Sequence, residues 1–282
     1  MVGIAAEERA RMQAAAADLW GPGRRWTPGE IAWATITEPP GQVSFIGDGW
    51  AWRQDDYVAI VVTGVEEARA AVAWAAGDPV QLVDGDTLLL DALLSSGYRE
   101  NVDAAYDLDV RLTARGSGRM EIPEGFVLRS ARSDDDLVGV HRRSWRPSDL
   151  PFAAGHRPRI DEDATSSFSV DTMARIAASP LYRPDLHVVA EAPDGSLAGS
   201  CITWIDEANA TAAIEPLGVV PEHRRRALAG ALARFAAERA VDAGAAETII
   251  HPRGDAAYPA ARGAYRQAGF RQVGRTRIYD VG

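Results

Sequence analysis

The order of strand and helix signals is the feature that most limits how this chain can fold, because the same order occurs twice. Residues 57–94 read as strand, helix, strand and helix, with apolar runs of strand type alternating with helical spacing. Residues 214–268 follow the same order. Strands that alternate with helices predict the α/β (α+β) class, in which sheets are flanked by helices.

The ends of the two repeats also resemble each other. SSGYREN at 95–101 is similar to QAGFRQV at 267–273, since in each a helix ends at a glycine and an aromatic residue follows. A strand with a Tyr-Asp pair comes next, at Tyr106-Asp107 and at Tyr279-Asp280. This similarity predicts two copies of one βαβα unit. The alternative is that such runs occur in any α/β chain.

The length of 282 residues is sufficient for two domains. The stretch at 111–125 is polar, contains glycine and is closed by Pro123, which makes it the best candidate for a linker. We predict a first domain at 1–115, a linker at 116–124 and a second domain at 125–282.

Charge and cysteine content exclude several classes of function. The formal net charge of −10 makes the chain a poor general binder of nucleic acid or of an anionic membrane. No run of about 18 apolar residues predicts a membrane span, and the acidic, helical N-terminus does not read as a signal peptide. We therefore expect a cytoplasmic protein. The single cysteine, Cys201, excludes an internal disulfide and fits a buried structural thiol, and the scattered histidines do not predict a metal site.

One helix start in the first half carries acidic residues. The entry VVTGVEEARAAV places Thr63 and Glu66 at capping-box spacing, and Glu67 adds a second acid. We expect oxygen atoms of the chain itself to accept hydrogen bonds from the free N–H groups of this helix.

The matching helix start in the second half carries three arginines instead. The entry VVPEHRRRALAGAL at 219–232 opens a helix that we predict over about 225–241. A cation in the first turn of a helix costs roughly 0.3–1 kcal/mol against the helix dipole. The cluster therefore predicts a bound phosphate or diphosphate, and small residues that follow let a ligand approach the backbone. The alternative is a solvated cluster without a ligand. The predicted anion site comprises Arg224, Arg225, Arg226, Ala227, Leu228, Ala229 and Gly230.

Two motifs of the second half resemble those of GNAT-type N-acyltransferases. Residues 224–229 follow the family's acyl-CoA signature, Gln/Arg-x-x-Gly-x-Gly/Ala, with Ala227 in place of the first glycine. We expect ordinary helical dihedral angles there, which alanine can adopt. The segment YPAARGAYRQAGF at 258–270 is similar to the family segment that ends in Tyr-x-x-x-Gly-Phe, which begins here at Tyr265. Tyr258 stands where the family often has asparagine.

The resemblance covers residues 125–282, and residues 1–115 look like a second, degenerate copy. It implies two GNAT-like domains in tandem, each a mixed, mostly antiparallel twisted sheet flanked by helices. It also implies that acetyl-CoA, or another acyl-CoA, binds in a V-shaped opening between the strands at 211–220 and 247–251.

The same resemblance implies specific contacts to the cofactor. Val219 and Val220 would face the pantetheine arm, and backbone N–H groups from about Arg224 to Gly230 would hold the diphosphate. Because the first half has no arginine cluster at its helix start, we predict one cofactor per chain.

Acyl transfer from a thioester to an amine needs a base for the amine and a proton for the leaving thiolate. Tyr265 is the candidate acid, since the family uses a tyrosine at this position and a phenol can protonate a thiolate. Glu215 is the candidate base, because it interrupts an apolar strand beside Pro216, which suits a β-bulge. The alternatives are a core aromatic residue and a surface carboxylate, and His251 is a weaker candidate for the base.

The predicted function is the transfer of an acetyl group to a primary amine of a small molecule or peptide. A non-catalytic module that binds or senses acyl-CoA is the main alternative. Contact of the arginines with nucleic-acid phosphates is disfavoured by the acidic charge. Trp145, Trp204, Phe152 and the loop at 146–162 are expected to shape the acceptor pocket. The acceptor, the acyl length and a possible homodimer are left open.

Overall fold

The computed structural model describes residues 4–21, 24–37, 41–104, 110–115, 121–158, 160–161 and 163–282. The chain forms two compact units. Tyr106-Asp107 of the predicted repeat and residues 116–120 of the predicted linker lie outside the described residues.

The first unit consists of the described residues of Met1–Arg111 together with Arg253–Asp255 and Val273–Gly282. Its sheet has the order β1-β2-β3-β4-β12, with β5 also paired to β12, and only β3 and β4 run parallel. The helices are α1 (Ala6–Asp18), α2 (Pro28–Thr37), α3 (Val65–Ala75) and α4 (Thr87–Ser95). The strands are β1 (Gln42–Ile46), β2 (Gly49–Arg53), β3 (Val58–Val61), β4 (Val80–Val83), β5 (Arg99–Glu100) and β12 (Arg271–Asp280).

The second unit consists of Leu112–Pro252 and Ala256–Gln272. Its sheet has the order β6-β11-β10-β9-β8-β7, and only β10 and β11 run parallel. The strands are β6 (Val110–Arg115), β7 (Val127–Ser130), β8 (His187–Glu191), β9 (Leu197–Asp206), β10 (Thr211–Val219) and β11 (Glu247–Ile250). The α-helices are α5 (Leu137–Ser144), α6 (Val170–Ala177), α7 (Leu228–Asp242) and α8 (Ala260–Gln267). Short 3-10 helices lie at Pro147–Asp149, Pro184–Leu186 and Pro221–His223.

Both units confirm the predicted fold class, since each has a mixed, mostly antiparallel sheet with flanking helices. The predicted order also holds, as β3-α3-β4-α4 in the first unit and β10-α7-β11-α8 in the second. That the two units descend from one duplicated ancestor stays a prediction, as do the exact domain boundaries. Residues 271–280 form one strand, and from Val273 onward they belong to the first unit.

Glycines of β9 and β10 show which helices cover each face of the second sheet. A Cβ atom built on Gly199 would lie 3.0 Å from Leu232 of α7, whereas one built on Gly218 would lie 2.7 Å from Ser144 at the end of α5. Gly199 is opposite Val219, which follows Gly218 in β10. Because successive residues of a strand point to opposite faces, α7 and α5 lie on opposite faces of this sheet.

None of the described helices is both long enough and apolar enough to cross a membrane.

Candidate active site

A cleft lies in the second unit beside the end of β10, near the point where β10 and β11 stop pairing. The two strands pair only from Thr211 to Ala213, and a β-bulge follows between Ile214 and Leu217. The cleft has a volume of about 580 Å³ and continues along the end of β10 to the start of α7. None of the described residues that line it belongs to β11, so the V-shaped opening between these two strands stays a prediction.

Residues from both faces of the sheet line the cleft. Ser144 and Trp145 contribute from the α5 face, and the first turn of α7 contributes from the other. Tyr265 also lines the cleft from α8, a helix that packs against α7.

The backbone of β10 presents polar groups to the cleft. The N–H of Val220 donates to the carbonyl oxygen of Ala198 at 3.0 Å, on the side of β9. Because the N–H and C=O groups alternate in direction along a strand, those of Leu217 and Val219 point away from β9, toward the cleft. Val219 lines the cleft, whereas Val220 is fully buried and does not. Of the two predicted pantetheine contacts, the structure brings only Val219 to the cleft.

The turn before α7 differs from the predicted helix start. α7 begins at Leu228 rather than near Arg225, so the three arginines precede the helix. Arg225 and Ala227 have φ angles of 59° and 61°, in the left-handed region. The expectation of ordinary helical angles at Ala227 is therefore wrong. The chain leaves β10 in a tight turn before it enters α7, and this turn requires the conformation that glycine adopts most readily.

The start of α7 leaves several N–H groups without a partner inside the helix. Ala227 is the N-cap of α7, and no side chain accepts a hydrogen bond from the first turn. The N–H groups of Leu228, Ala229 and Gly230, which open the helix, cannot reach a carbonyl within it. The dipole of α7 adds positive potential at the same point.

Arg224 has a structural role in this turn. Its guanidinium donates to the carbonyl oxygens of Val219 at 3.0 Å and Ser144 at 2.9 Å, and also to that of Asp149. Burial lowers the pKa of Arg224 below its usual value. The side chain therefore ties the end of β10 to α5, which leaves it unsuited to contact a phosphate directly.

Arg225 and Arg226 are the exposed cations of the cluster. Within the described part of the chain, neither guanidinium has a hydrogen-bond or ion-pair partner. The acid that precedes them in sequence, Glu222, lies 3.6 Å from Arg143 instead. The positive charge at this turn is thus available to a ligand.

The corresponding helix start in the first unit is closed by a carboxylate. Glu67 accepts hydrogen bonds from the N–H groups of Gly64 at 3.0 Å and Thr63 at 3.2 Å. These bonds hold the pKa of Glu67 below its usual range. The predicted pairing of Thr63 with Glu66 is wrong, because Glu66 points to Arg69 at 2.8 Å. Glu67 lies one residue further along and reaches the start of α3.

Tyr265 is almost completely buried, with 5% of its surface exposed, yet it lines the cleft. Burial, and next the negative charge of Glu215, raise the pKa of its phenol well above the usual value. The phenol therefore keeps its proton throughout the neutral pH range, which is the state that a general acid requires.

Glu215 lies in the predicted β-bulge of β10 and is half-buried. Its carbonyl oxygen accepts a hydrogen bond from the indole Nε1 of Trp204 at 2.6 Å. Trp204 is 1% exposed and belongs to the core, so it does not form part of an acceptor pocket wall. Trp145 does line the cleft.

Three other titratable groups of this unit do not line the cleft. His141 stacks on Phe168 with ring centroids 3.9 Å apart, and burial lowers its pKa to about 4. His187 contacts the Tyr182 hydroxyl at 2.9 Å and has a pKa lowered to about 4 by burial. Cys201 is fully buried, as predicted, and burial raises its pKa to about 12. Among the described residues no group of side chains has the composition of a metal site.

Sequence reasoning missed Ser144, which is 4% exposed and lines the cleft. No local motif marks this residue, because it reaches the cleft only through the packing of α5 on Gly218.

Comparisons with known proteins agree with this architecture. Residues 157–270 match the family model of the acetyltransferase (GNAT) family. The structure is similar to a GCN5-related N-acetyltransferase from Kribbella flavida, with a TM-score of 0.54, 17% identity, and 90% of this chain and 95% of that chain covered. No curated protein matches the chain.

Two further solved structures share the fold over nearly the whole chain. A tandem GNAT protein from the clavulanic acid biosynthesis pathway, solved without AcCoA, has a TM-score of 0.56 at 15% identity, with 100% of this chain and 97% of that chain covered. A GNAT-family acetyltransferase from Colwellia psychrerythraea has a TM-score of 0.61 at 10% identity, with 96% of each chain covered. At these identities the likeness shows the fold alone. The match to the GNAT acetyltransferase family thus covers residues 157–270, and the shared fold extends over nearly the whole chain.

Proposed function

We propose that the second unit binds acetyl-CoA, or another acyl-CoA, and transfers the acyl group to a primary amine of a small-molecule or peptide acceptor. One observation carries this proposal. The turn at Arg225–Ala227 and the uncapped start of α7 together form a positively charged site that can bind an anion. This site lies on a cleft that Tyr265 also lines. A bound acyl-CoA supplies an acyl group activated as a thioester.

Each part of the turn has a distinct role in holding the diphosphate. The N–H groups from Arg226 to Gly230 donate to phosphate oxygens, and the exposed guanidiniums of Arg225 and Arg226 neutralise the charge. Arg224 holds the turn in place through its bonds to backbone carbonyls. The N–H and C=O groups of Leu217 and the N–H group of Val219 are directed to the amides of the pantetheine arm, since Arg224 already binds the Val219 carbonyl oxygen.

The chemical step uses Glu215 as base and Tyr265 as acid. The neutral amine nitrogen forms a bond to the acyl carbon, and Glu215 accepts a proton from this nitrogen, directly or through water. The carbon–sulfur bond then breaks as the carbonyl group re-forms. Tyr265 donates its proton to the departing sulfur. Return of one proton from Glu215 to Tyr265 through solvent restores both groups.

Calorimetry with CoA and a thiol-release assay with acetyl-CoA and a panel of amines test this function. We expect one CoA per chain, because Glu67 already fills the helix start of the first unit. Tyr265→Phe and Glu215→Gln should retain CoA binding and lower kcat by about 100-fold or more.

The possible outcomes separate the alternatives. Two bound CoA molecules per chain would contradict a single site. If both variants turned over at the wild-type rate, Tyr265 would not be the acid and Glu215 would not be the base. Tight binding of acetyl-CoA without thiol release from any amine would favour a non-catalytic binding module, and absence of CoA binding would refute the proposal as a whole.

A further inference from the structure

Ser144 presents a hydroxyl group that nothing in the described part of the chain satisfies. Its Oγ is closed off from solvent and has no hydrogen-bond partner there. The residue is 4% exposed and forms part of the cleft wall on the α5 face. A buried hydroxyl without a partner is costly, by roughly as much as a lost hydrogen bond, so native structures rarely retain one without a reason.

The position of this hydroxyl is fixed by its neighbours. Arg224 binds the carbonyl oxygen of Ser144 at 2.9 Å and that of Val219 at 3.0 Å, which holds the end of α5 against the end of β10. The contact is close, since a Cβ atom on Gly218 would lie 3.2 Å from Ser144 Oγ and 2.9 Å from Trp145 Nε1. Glycine at position 218 is therefore required for this approach.

The hydroxyl lies close to Gly218, the residue that follows Leu217 in β10. The N–H of Leu217, the residue before Gly218, points into the cleft because the N–H of Val220 points to β9. Leu217 lies between Glu215 and the turn that we assign to the diphosphate. The Leu217 N–H and the Ser144 O–H are thus both next to Gly218, on the wall of the cleft.

We propose that Ser144 donates a hydrogen bond to the carbonyl oxygen of the acyl thioester, as a second donor beside the Leu217 N–H. The inference rests on the function proposed above. Negative charge develops on this oxygen as the amine attacks, and a donor fixed at that point stabilises the charge. Ser144 keeps its proton throughout, so it acts only through the hydrogen bond.

The test compares two substitutions that each delete an unpartnered buried hydroxyl. Ser144→Ala removes the hydroxyl at the cleft, and Ser148→Ala removes one that is also unpartnered but does not line the cleft. Neither variant breaks a hydrogen bond seen in the described residues, so both should fold. Calorimetry measures the affinities for acetyl-CoA and for CoA, and infrared spectroscopy of bound acetyl-CoA carrying ¹³C at the carbonyl measures the strength of its hydrogen bonds.

We expect Ser144→Ala to weaken the binding of acetyl-CoA about fivefold while the affinity for CoA stays unchanged. The carbonyl stretch should be less displaced to low frequency in Ser144→Ala than in wild type, and Ser148→Ala should match wild type in both measurements. The role of Ser144 is overturned if wild type, Ser144→Ala and Ser148→Ala have the same ratio of acetyl-CoA affinity to CoA affinity and the same carbonyl stretching frequency. That result leaves the acyltransferase proposal intact. Failure of wild type to bind CoA overturns both.

Discussion

Replacement of Ala227 by glycine should stabilise this protein, although glycine usually weakens a helix start. Ala227 has φ 61° and ψ 5°, and it is exposed, so loss of its methyl group removes no packing. A left-handed conformation costs a residue with a Cβ atom about 1–2 kcal/mol. The greater conformational freedom of glycine in the unfolded chain offsets about 0.4–1 kcal/mol of the stabilisation gained by removing the Cβ atom. The net gain in the free energy of unfolding is about 0.5–1 kcal/mol.

Thermal and urea denaturation of Ala227→Gly measure this gain. For a protein of this size the gain corresponds to a rise in Tm of about 1–4 °C. Ala229→Gly is the matched control, because Ala229 lies two residues further along with ordinary helical angles, and its replacement should cost about 0.5–1 kcal/mol. Ala76, at φ 55° after α3, should respond as Ala227 does. If Ala227→Gly and Ala229→Gly lowered stability equally, the turn would not be strained and the reasoning would fail.

Three further predictions concern charged and titratable groups. Arg224→Gln should lower the free energy of unfolding by a few kcal/mol because it removes bonds to three carbonyls, whereas Arg225→Gln should leave stability unchanged and weaken the binding of CoA, as calorimetry would show. Burial lowers the pKa values of His141 and His187 to about 4, so the unfolded chain binds more protons than the folded chain between about pH 6.5 and 4. The free energy of unfolding measured with urea should be constant above about pH 7 and fall by a few kcal/mol as the pH is lowered from about 6.5 to 4. A free energy of unfolding that did not change with pH would contradict the burial of these two histidines. Glu67→Gln should cost about 0.5–2 kcal/mol at pH 7 in the same assay, since it weakens the acceptor for two N–H groups at the start of α3.

Local sequence signals predicted the sheet and the bulge well. The hairpin of β8 and β9 follows from two apolar runs around Pro193-Asp194-Gly195, and the bulge follows from Glu215 and Pro216 in an apolar strand. These features depend on residues that are close in sequence. The residues that specify the hairpin and the bulge therefore lie within a few positions of each other in the sequence.

The role of Arg224 could not be predicted in this way. Its guanidinium reaches the carbonyl oxygens of Ser144 and Asp149, which are 80 and 75 residues away in sequence. Only the packing of α5 on β10 brings these groups together. The left-handed conformation of Ala227 was missed for a related reason, because alanine gives no sign of a positive φ where glycine would have done so.

The two helix starts show how one fold can supply either an inert or a reactive position. At α3 the carboxylate of Glu67 satisfies the N–H groups permanently, so nothing is gained there by binding an anion. At α7 the N–H groups have no capping side chain, two nearby arginines add positive charge, and Ala227 is strained. Each of these features makes the empty turn less stable than a capped one, and a diphosphate relieves the first two. If the proposed diphosphate binds here, it recovers the part of the free energy of unfolding that the first two features cost, so the same residues determine both the affinity for the ligand and the lower stability of this turn.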